Sequence, residues 1–248
     1  MSSDLVSLRV LIVCASGPDG ERLRQGATQA MLPVEIDEAD TAGKATALLE
    51  GGGFDLVLID PDCPQANRAS VVTAARTGKT PALVVLLGVA LAATDADAVT
   101  AKPGDVRAAT SLFDRCVRAR LPCRVLVVDD SSTMRTIVRK ILSGSRFQLD
   151  VSEAGEGASC LSRVRNGSVD VVFLDYNMPG IDGIATLGEI KRTNPNVDVV
   201  LMTSTQDDVI AKRAIHAGAS AFLKKPFYTA DIDALLFARC GLTPCRAA

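Results

Sequence analysis

The 248-residue chain has no tryptophan, two tyrosines and a single histidine. One histidine, His216, cannot assemble a histidine-based zinc site. The seven cysteines (Cys14, Cys63, Cys116, Cys123, Cys160, Cys240, Cys245) are odd in number, and no two stand as C-x-x-C. They read as small buried hydrophobes in a reducing compartment, not as a disulfide or metal framework. Neither sign of charge dominates: 27 Lys and Arg face 29 Asp and Glu. That balance gives no long-range reason to expect a nucleic acid or an acidic membrane as partner. Long apolar runs are missing too. The longest, 82–93, falls short of the roughly 20 residues a membrane span needs. The opening residues carry no basic stretch before their apolar run, which argues against a signal peptide. A soluble, cytoplasmic chain is expected. The glycine-rich "LEGGGFD" precedes a strand instead of opening a helix, so it fails as a phosphate-binding loop.

What is present is alternation. In the second half, "RVLVVDD" is a short β-branched run, and "SSTMRTIVRKILSG" follows with Met134, Ile137, Val138, Ile141 and Leu142 at helical spacing. Ser131 or Ser132 is the expected N-cap. Strand and helix then alternate through "FQLDVSEA", "EGASCLSRVRNG", "VDVVFLD", a helix after "YNMPGIDG", "VDVVLMT", "DDVIAKRAIHAG", "AFLKKP" and "TADIDALLFARC". Strands apolar on both faces between amphipathic helices predict a parallel sheet covered on both sides. The first half repeats the scheme, with a poorly defined stretch between "ALVVLLG" and "AVTAKP". Its register agrees, because 129 − 14 and 175 − 60 both give 115. The expected organisation is two domains, 1–120 and 121–248, divided near Pro122.

In an open parallel sheet the carboxyl ends of the strands meet at one rim, where ligands bind. Asp129 and Asp130 end the first strand of the second domain, Asp175 the third and Thr203 the fourth, and Lys225 follows the fifth. Three carboxylates so close resist ionisation unless a cation shares them. A hard, partly hydrated divalent ion resolves that conflict, and Mg²⁺ fits best. Lys225 adds a point charge suited to a phosphate or carboxylate oxygen. Each residue alone has a plainer reading, such as a helix cap or an ordinary turn. The ordered set has none.

"VLVVDDSSTMRTIVRKIL", "VVFLDYNMPGIDG", "VVLMTST" and "AFLKKPF" closely resemble the receiver domain of bacterial two-component response regulators, especially the single-domain chemotaxis type. The resemblance covers the whole second half. It implies a flavodoxin-like (βα)5 fold with a five-stranded parallel sheet and Asp175 as phosphoacceptor. Asp130, Asp175 and the main-chain carbonyl of Asn177 would ligate Mg²⁺, with Asp129 acting through water. Lys225 and Thr203 would contact phosphoryl oxygens, and Phe222 stands at the switch aromatic. A histidine kinase is the implied donor. A downstream protein is the implied partner, bound on the face of the fourth helix, fifth strand and fifth helix. The chemistry agrees: a carboxylate nucleophile gives an acyl phosphate, while Mg²⁺ and Lys225 offset the charge of the transferring group. The added charge draws Thr203 inward and frees room for Phe222 to turn.

The first half keeps Asp60 and Lys102 but has Cys14 and Ala15 at the acidic pair, Gly88 at the hydroxyl and Val99 at the aromatic. A degenerate, unphosphorylated receiver is expected; the rival reading uses Asp60 with Asp62 as a surrogate ligand. His216 reads as a solvated helix residue, since no helical bundle surrounds it. The overall expectation is two tandem receivers filling the chain without an output domain, and no turnover beyond their own phosphorylation and dephosphorylation. Two alternatives stand beside it. One is a phosphorylation-independent scaffold. The other is an aspartyl-phosphate hydrolase, disfavoured because Asn177 stands where such enzymes carry a second Asp.

Overall fold

The computed structural model describes residues 7–15, 17–60, 62–77, 81–88, 96–178, 183–204 and 208–245. The chain divides into two compact units, Met1–Leu121 with Leu236–Ala248, and Pro122–Leu235.

The first unit runs β1 (Leu8–Val13), α1 (Gly17–Ala27), β2 (Val34–Ala39), α2 (Ala42–Glu50), β3 (Leu56–Ile59), α3 (Gln65–Thr77), β4 (Leu83–Leu87), β5 (Ala98–Thr100) and α4 (Val106–Arg120). β3 and β4 are buried along their whole length, as a sheet covered on both faces requires. Thr41 caps α2 by accepting from Lys44 N–H, and Asp105 caps α4 by accepting from Ala108 N–H. α1 packs so closely on α4 that a Cβ at Gly26 would stand 2.8 Å from the Thr110 nitrogen.

The second unit runs β6 (Cys123–Val128), α5 (Ser132–Leu142), β7 (Leu149–Ala154), α6 (Gly157–Arg165), β8 (Val171–Asp175), α7 (Gly183–Thr193), β9 (Asp198–Thr203), α8 (Asp208–His216), β10 (Ala221–Lys224) and the larger part of α9 (Thr229–Arg239), whose residues from Leu236 group with the first unit. Its parallel sheet has the order β10-β9-β8-β6-β7, the flavodoxin-like arrangement expected. Ser131 is the N-cap of α5, its hydroxyl accepting from Met134 N–H. The duplication extends to side chains. Asp55 accepts the Arg9 N–H at 3.0 Å, and Asp170, 115 residues on, accepts the Arg124 N–H at 2.8 Å.

Two expectations differ from what is observed. The first sheet has six strands, not five, in the order β11-β5-β4-β3-β1-β2. The added strand, β11 (Thr243–Pro244), lies antiparallel on β5, and the Cys245 N–H donates to the Asp97 carbonyl at 3.1 Å. Leu236–Ala248 therefore group with the first unit, where a second domain of 121–248 was expected. The reason is an unsatisfied edge. β5 is short and its outer backbone groups need partners, which the C-terminal segment supplies. The poorly defined stretch between β4 and β5 falls at 89–95, outside the described residues. Lys102 and Lys225 are 123 apart, not 115, so this connection is eight residues shorter in the first unit. Among the described residues no helix is long and apolar enough to cross a membrane.

Candidate functional site

Strand ends bring the charged side chains of the second unit together. β6 delivers Asp129, buried to 2% exposure, followed by the exposed Asp130. β8 ends on Asp175 at 5%, and β9 on the fully buried Thr203. Lys225 follows β10. Its ammonium donates to Asp129 Oδ2 at 2.8 Å and to Asp175 Oδ1 at 2.7 Å. The other Asp129 oxygen accepts the Ser131 N–H at 3.0 Å, so the carboxylate also fixes the turn into α5. One oxygen from each of Asp129, Asp130 and Asp175 lies within 4.8 Å of the others.

Three carboxylates face one ammonium, which leaves two negative charges uncompensated. Burial pushes the Asp175 carboxyl above its ordinary range, against the pull of the Lys225 hydrogen bond. Burial also pulls Lys225 down, but its bonds to Asp129 and Asp175 outweigh that and hold it above the usual value. A hard divalent cation with oxygen ligands matches this donor set in charge and chemistry. Among the described residues this is the one group of three potential metal ligands found.

The other expected residues lie nearby in the fold. The exposed Asn177 directs its backbone N–H to the Asp175 carboxylate. Phe222, on β10, is partly buried and packs against the core of this unit. Pro179 to Asp182, the middle of "NMPGIDG", lie outside the described residues. Its last glycine is informative: a Cβ on Gly183 would stand 2.5 Å from the Asp175 carbonyl oxygen and 2.9 Å from Tyr176 Cα. Only a bare backbone lets α7 begin that close to the candidate nucleophile, which the sequence reading passed over. His216 is exposed at the end of α8, its Nδ1 2.7 Å from the Lys212 carbonyl.

In the first unit, Asp60 is buried at 1% exposure and Lys102 reaches it. The ammonium lies 2.9 Å from Asp60 Oδ2. The same ammonium lies 2.6 Å from Asp19 Oδ2 and 3.9 Å from the exposed Asp62. Asp19 was not anticipated. It comes from the first turn of α1, five residues beyond Cys14, and no motif marks it. Arg22 pairs with its other oxygen at 2.7 Å. The Lys102 hydrogen bond holds the Asp19 carboxyl below the usual range. Cys14 takes a left-handed φ of +63°. Burial and the adjoining Cys63 thiol push its pKa up to about 12. Ala15 brings no charge, and Gly88 has a φ of +119° where the second unit has Thr203.

Comparison with known proteins agrees with this geometry. Residues 125–237 match the response regulator receiver domain family. The chain is 36% identical over 104 residues to the chemotaxis protein CheY of Bacillus subtilis, covering 42% of this chain and 86% of that protein. It is 30% identical over 138 residues to the cyclic di-GMP phosphodiesterase response regulator RpfG of Xanthomonas campestris, covering 55% of this chain and 36% of that one. The chain thus spans little more than a third of that relative. A solved structure titled as a probable two-component system response regulator/GGDEF domain protein covers 94% of this chain and 99% of its own. Its TM-score is 0.54 at 22% identity, which speaks to the fold alone. With an acidic rim, a bridging lysine and these relatives in agreement, the chain belongs to the receiver-domain family of bacterial two-component response regulators.

Proposed function

We propose that the second unit accepts a phosphoryl group on Asp175 and passes the event on as a change in a protein-binding surface. The observation that carries this reading is a buried carboxylate held by a single ammonium, with two further carboxylates within reach. The Asp175 oxygen forms a bond to phosphorus as the P–N bond of a kinase phosphohistidine breaks, and the imidazole departs. Asp129, Asp130, Asp175 and the Asn177 carbonyl would hold Mg²⁺, which supplies charge neutralisation for the transferred group when bound. Lys225 keeps its bond to Asp129 and balances charge as its bond to Asp175 is exchanged for one to phosphate. Thr203 supplies a buried hydroxyl at the end of β9, and Phe222 is the aromatic whose packing responds. Val209, Ile215 and Tyr228 are exposed apolar or aromatic side chains on and beside α8 and β10, a surface suited to a protein partner. In this reading the unit turns over nothing but its own acyl phosphate.

The first unit is read as silent. Its Asp19, Asp60 and Asp62 are offset by Lys102 and Arg22, leaving one uncompensated negative charge, too little for a divalent cation. The test is intact mass after exposure to a small phosphodonor with Mg²⁺. Label that is lost in Asp175→Asn and kept in Asp60→Asn supports both statements. Label that survives in Asp175→Asn refutes the assignment, and no label on any form leaves a phosphorylation-independent scaffold.

A further inference from the structure

The acidic turn of the second unit is held from behind by a residue that the chemistry above does not use. Arg135, on the first turn of α5, donates from Nη1 to the main-chain carbonyls of Asp129 at 2.8 Å and Asp130 at 3.4 Å. Its Nε donates to Glu153 Oε2 on β7 at 3.0 Å. The side chain is 19% exposed, so water competes weakly for these bonds.

The duplicated unit supplies an internal control. The 115-residue spacing sets Arg139 and Glu153 opposite Arg24 and Glu38. Both ion pairs form: Arg139 Nη1 lies 3.1 Å from Glu153 Oε1, and Arg24 Nη1 lies 2.5 Å from Glu38 Oε1. That helix-to-strand pair occurs with or without an acidic turn, so it belongs to the fold. Arg135 behaves differently, because its counterpart is Gly20. A Cβ at Gly20 would stand 3.2 Å from the Ala15 carbonyl oxygen and 3.7 Å from Arg24 Nη1, so the first unit has no side chain there to reach the turn and little room for one. There Cys14, opposite Asp129, has a positive φ, and among the described residues it is the one non-glycine that does. The guanidinium accompanies the acidic pair, and the left-handed turn accompanies its loss.

We propose that Arg135 is a positioning residue for the cation pocket. By pinning two successive peptide carbonyls it fixes both peptide planes, and with them the directions in which the Asp129 and Asp130 carboxylates leave the turn. Glu153, shared with Arg139, offsets part of the guanidinium's charge and so reduces its repulsion toward a cation. The proposal rests on the cation reading of the pocket given above.

The test uses the full chain as wild type, Arg135→Ala, Arg135→Lys and Arg139→Ala, with two readouts. Amide hydrogen exchange in EDTA reports the order of the turn at Asp130 and Ser131. Calorimetric titration with Mg²⁺ reports affinity. Arg135→Ala is expected to raise exchange at the turn about tenfold while leaving β6 and β8 protected, and to weaken Mg²⁺ roughly tenfold or more. Arg135→Lys, whose ammonium still reaches one carbonyl, recovers part of both. Arg139→Ala changes neither. Unchanged exchange in Arg135→Ala overturns the proposal, as does the same loss in Arg139→Ala or exchange that rises throughout the unit. Should the wild type take up no Mg²⁺, the cation reading falls, and the EDTA measurement decides for Arg135 alone.

Discussion

Replacing Lys225 with Met isolates the electrostatics of the pocket. The substitution keeps the length and apolar stem of the side chain and removes its charge. Two contacts at 2.7 and 2.8 Å are lost. Each is worth about 6 kcal/mol of gross attraction at an effective dielectric of about 20. Burying the ammonium consumes most of that, and uncoupling one partner of a buried pair typically costs about 3–5 kcal/mol. Because Asp130 opens the pocket to water on one side, a loss of about 3 kcal/mol is expected in EDTA. A divalent cation replaces the missing charge, so saturating Mg²⁺ should shrink the deficit by half or more. The variant should also bind Mg²⁺ more tightly than the wild type, having no ammonium to repel it. The chain is well suited to the assay: it has no tryptophan, and both tyrosines, Tyr176 and Tyr228, lie in the second unit. Urea unfolding followed by tyrosine fluorescence therefore reports this unit selectively. A cost below about 1 kcal/mol in EDTA, or a deficit indifferent to Mg²⁺, would refute the charge-compensation argument.

Asp175→Asn should raise the urea midpoint of the second unit in EDTA at pH 7. The folded-state pKa of Asp175 lies above its ordinary value, so the folded form binds the proton more tightly and stability falls as pH rises through that interval. The gain should fade toward pH 3, where the carboxyl is protonated in both states, and a gain independent of pH would contradict this sign. Thr186→Val should stabilise the same unit by about 1 kcal/mol, because the fully buried hydroxyl has no hydrogen-bond partner among the described residues; a lower midpoint by tyrosine fluorescence would show that it has one. Gly26→Ala should cost the first unit about 1–3 kcal/mol, since the new methyl meets the backbone of α4 at Thr110. Circular dichroism on heating would show this as an earlier transition, with the tyrosine-monitored one unmoved.

The alternation of strand and helix was legible because buried parallel strands must be apolar on both faces, and "VLVV", "VVFL" and "VVLM" are. The repeat was legible because two strand ends fell at one spacing. The sixth strand was not. "LTPC" carries no strand pattern, and its place is set by the unpaired edge of β5, some 140 residues earlier in the chain. The expected second domain of 121–248 went astray for the same reason. Proximity in sequence assigned the last residues to the unit they follow, while backbone pairing assigns them to the other.

The site divides along a similar line. Asp129, Asp130, Asp175, Thr203 and Lys225 could be placed because strand ends in a parallel sheet converge by topology alone. Arg135 and Asp19 project from helices, and where a long side chain arrives depends on helix phase and on the turn that precedes it. Asp19 shows the consequence. Aligned position by position, the first unit has lost its acidic pair, yet the structure still sets two carboxylates on Lys102, one of them from a place no alignment would examine. What differs between the units is the charge left over once lysine and arginine are counted. In the second unit the ammonium bonds two of three clustered carboxylates. In the first, Arg22 pairs with Asp19 as well, which leaves one uncompensated negative charge where the second unit has two. Counting carboxylates alone therefore misses what separates the two units, and counting the cations already paired with them recovers it.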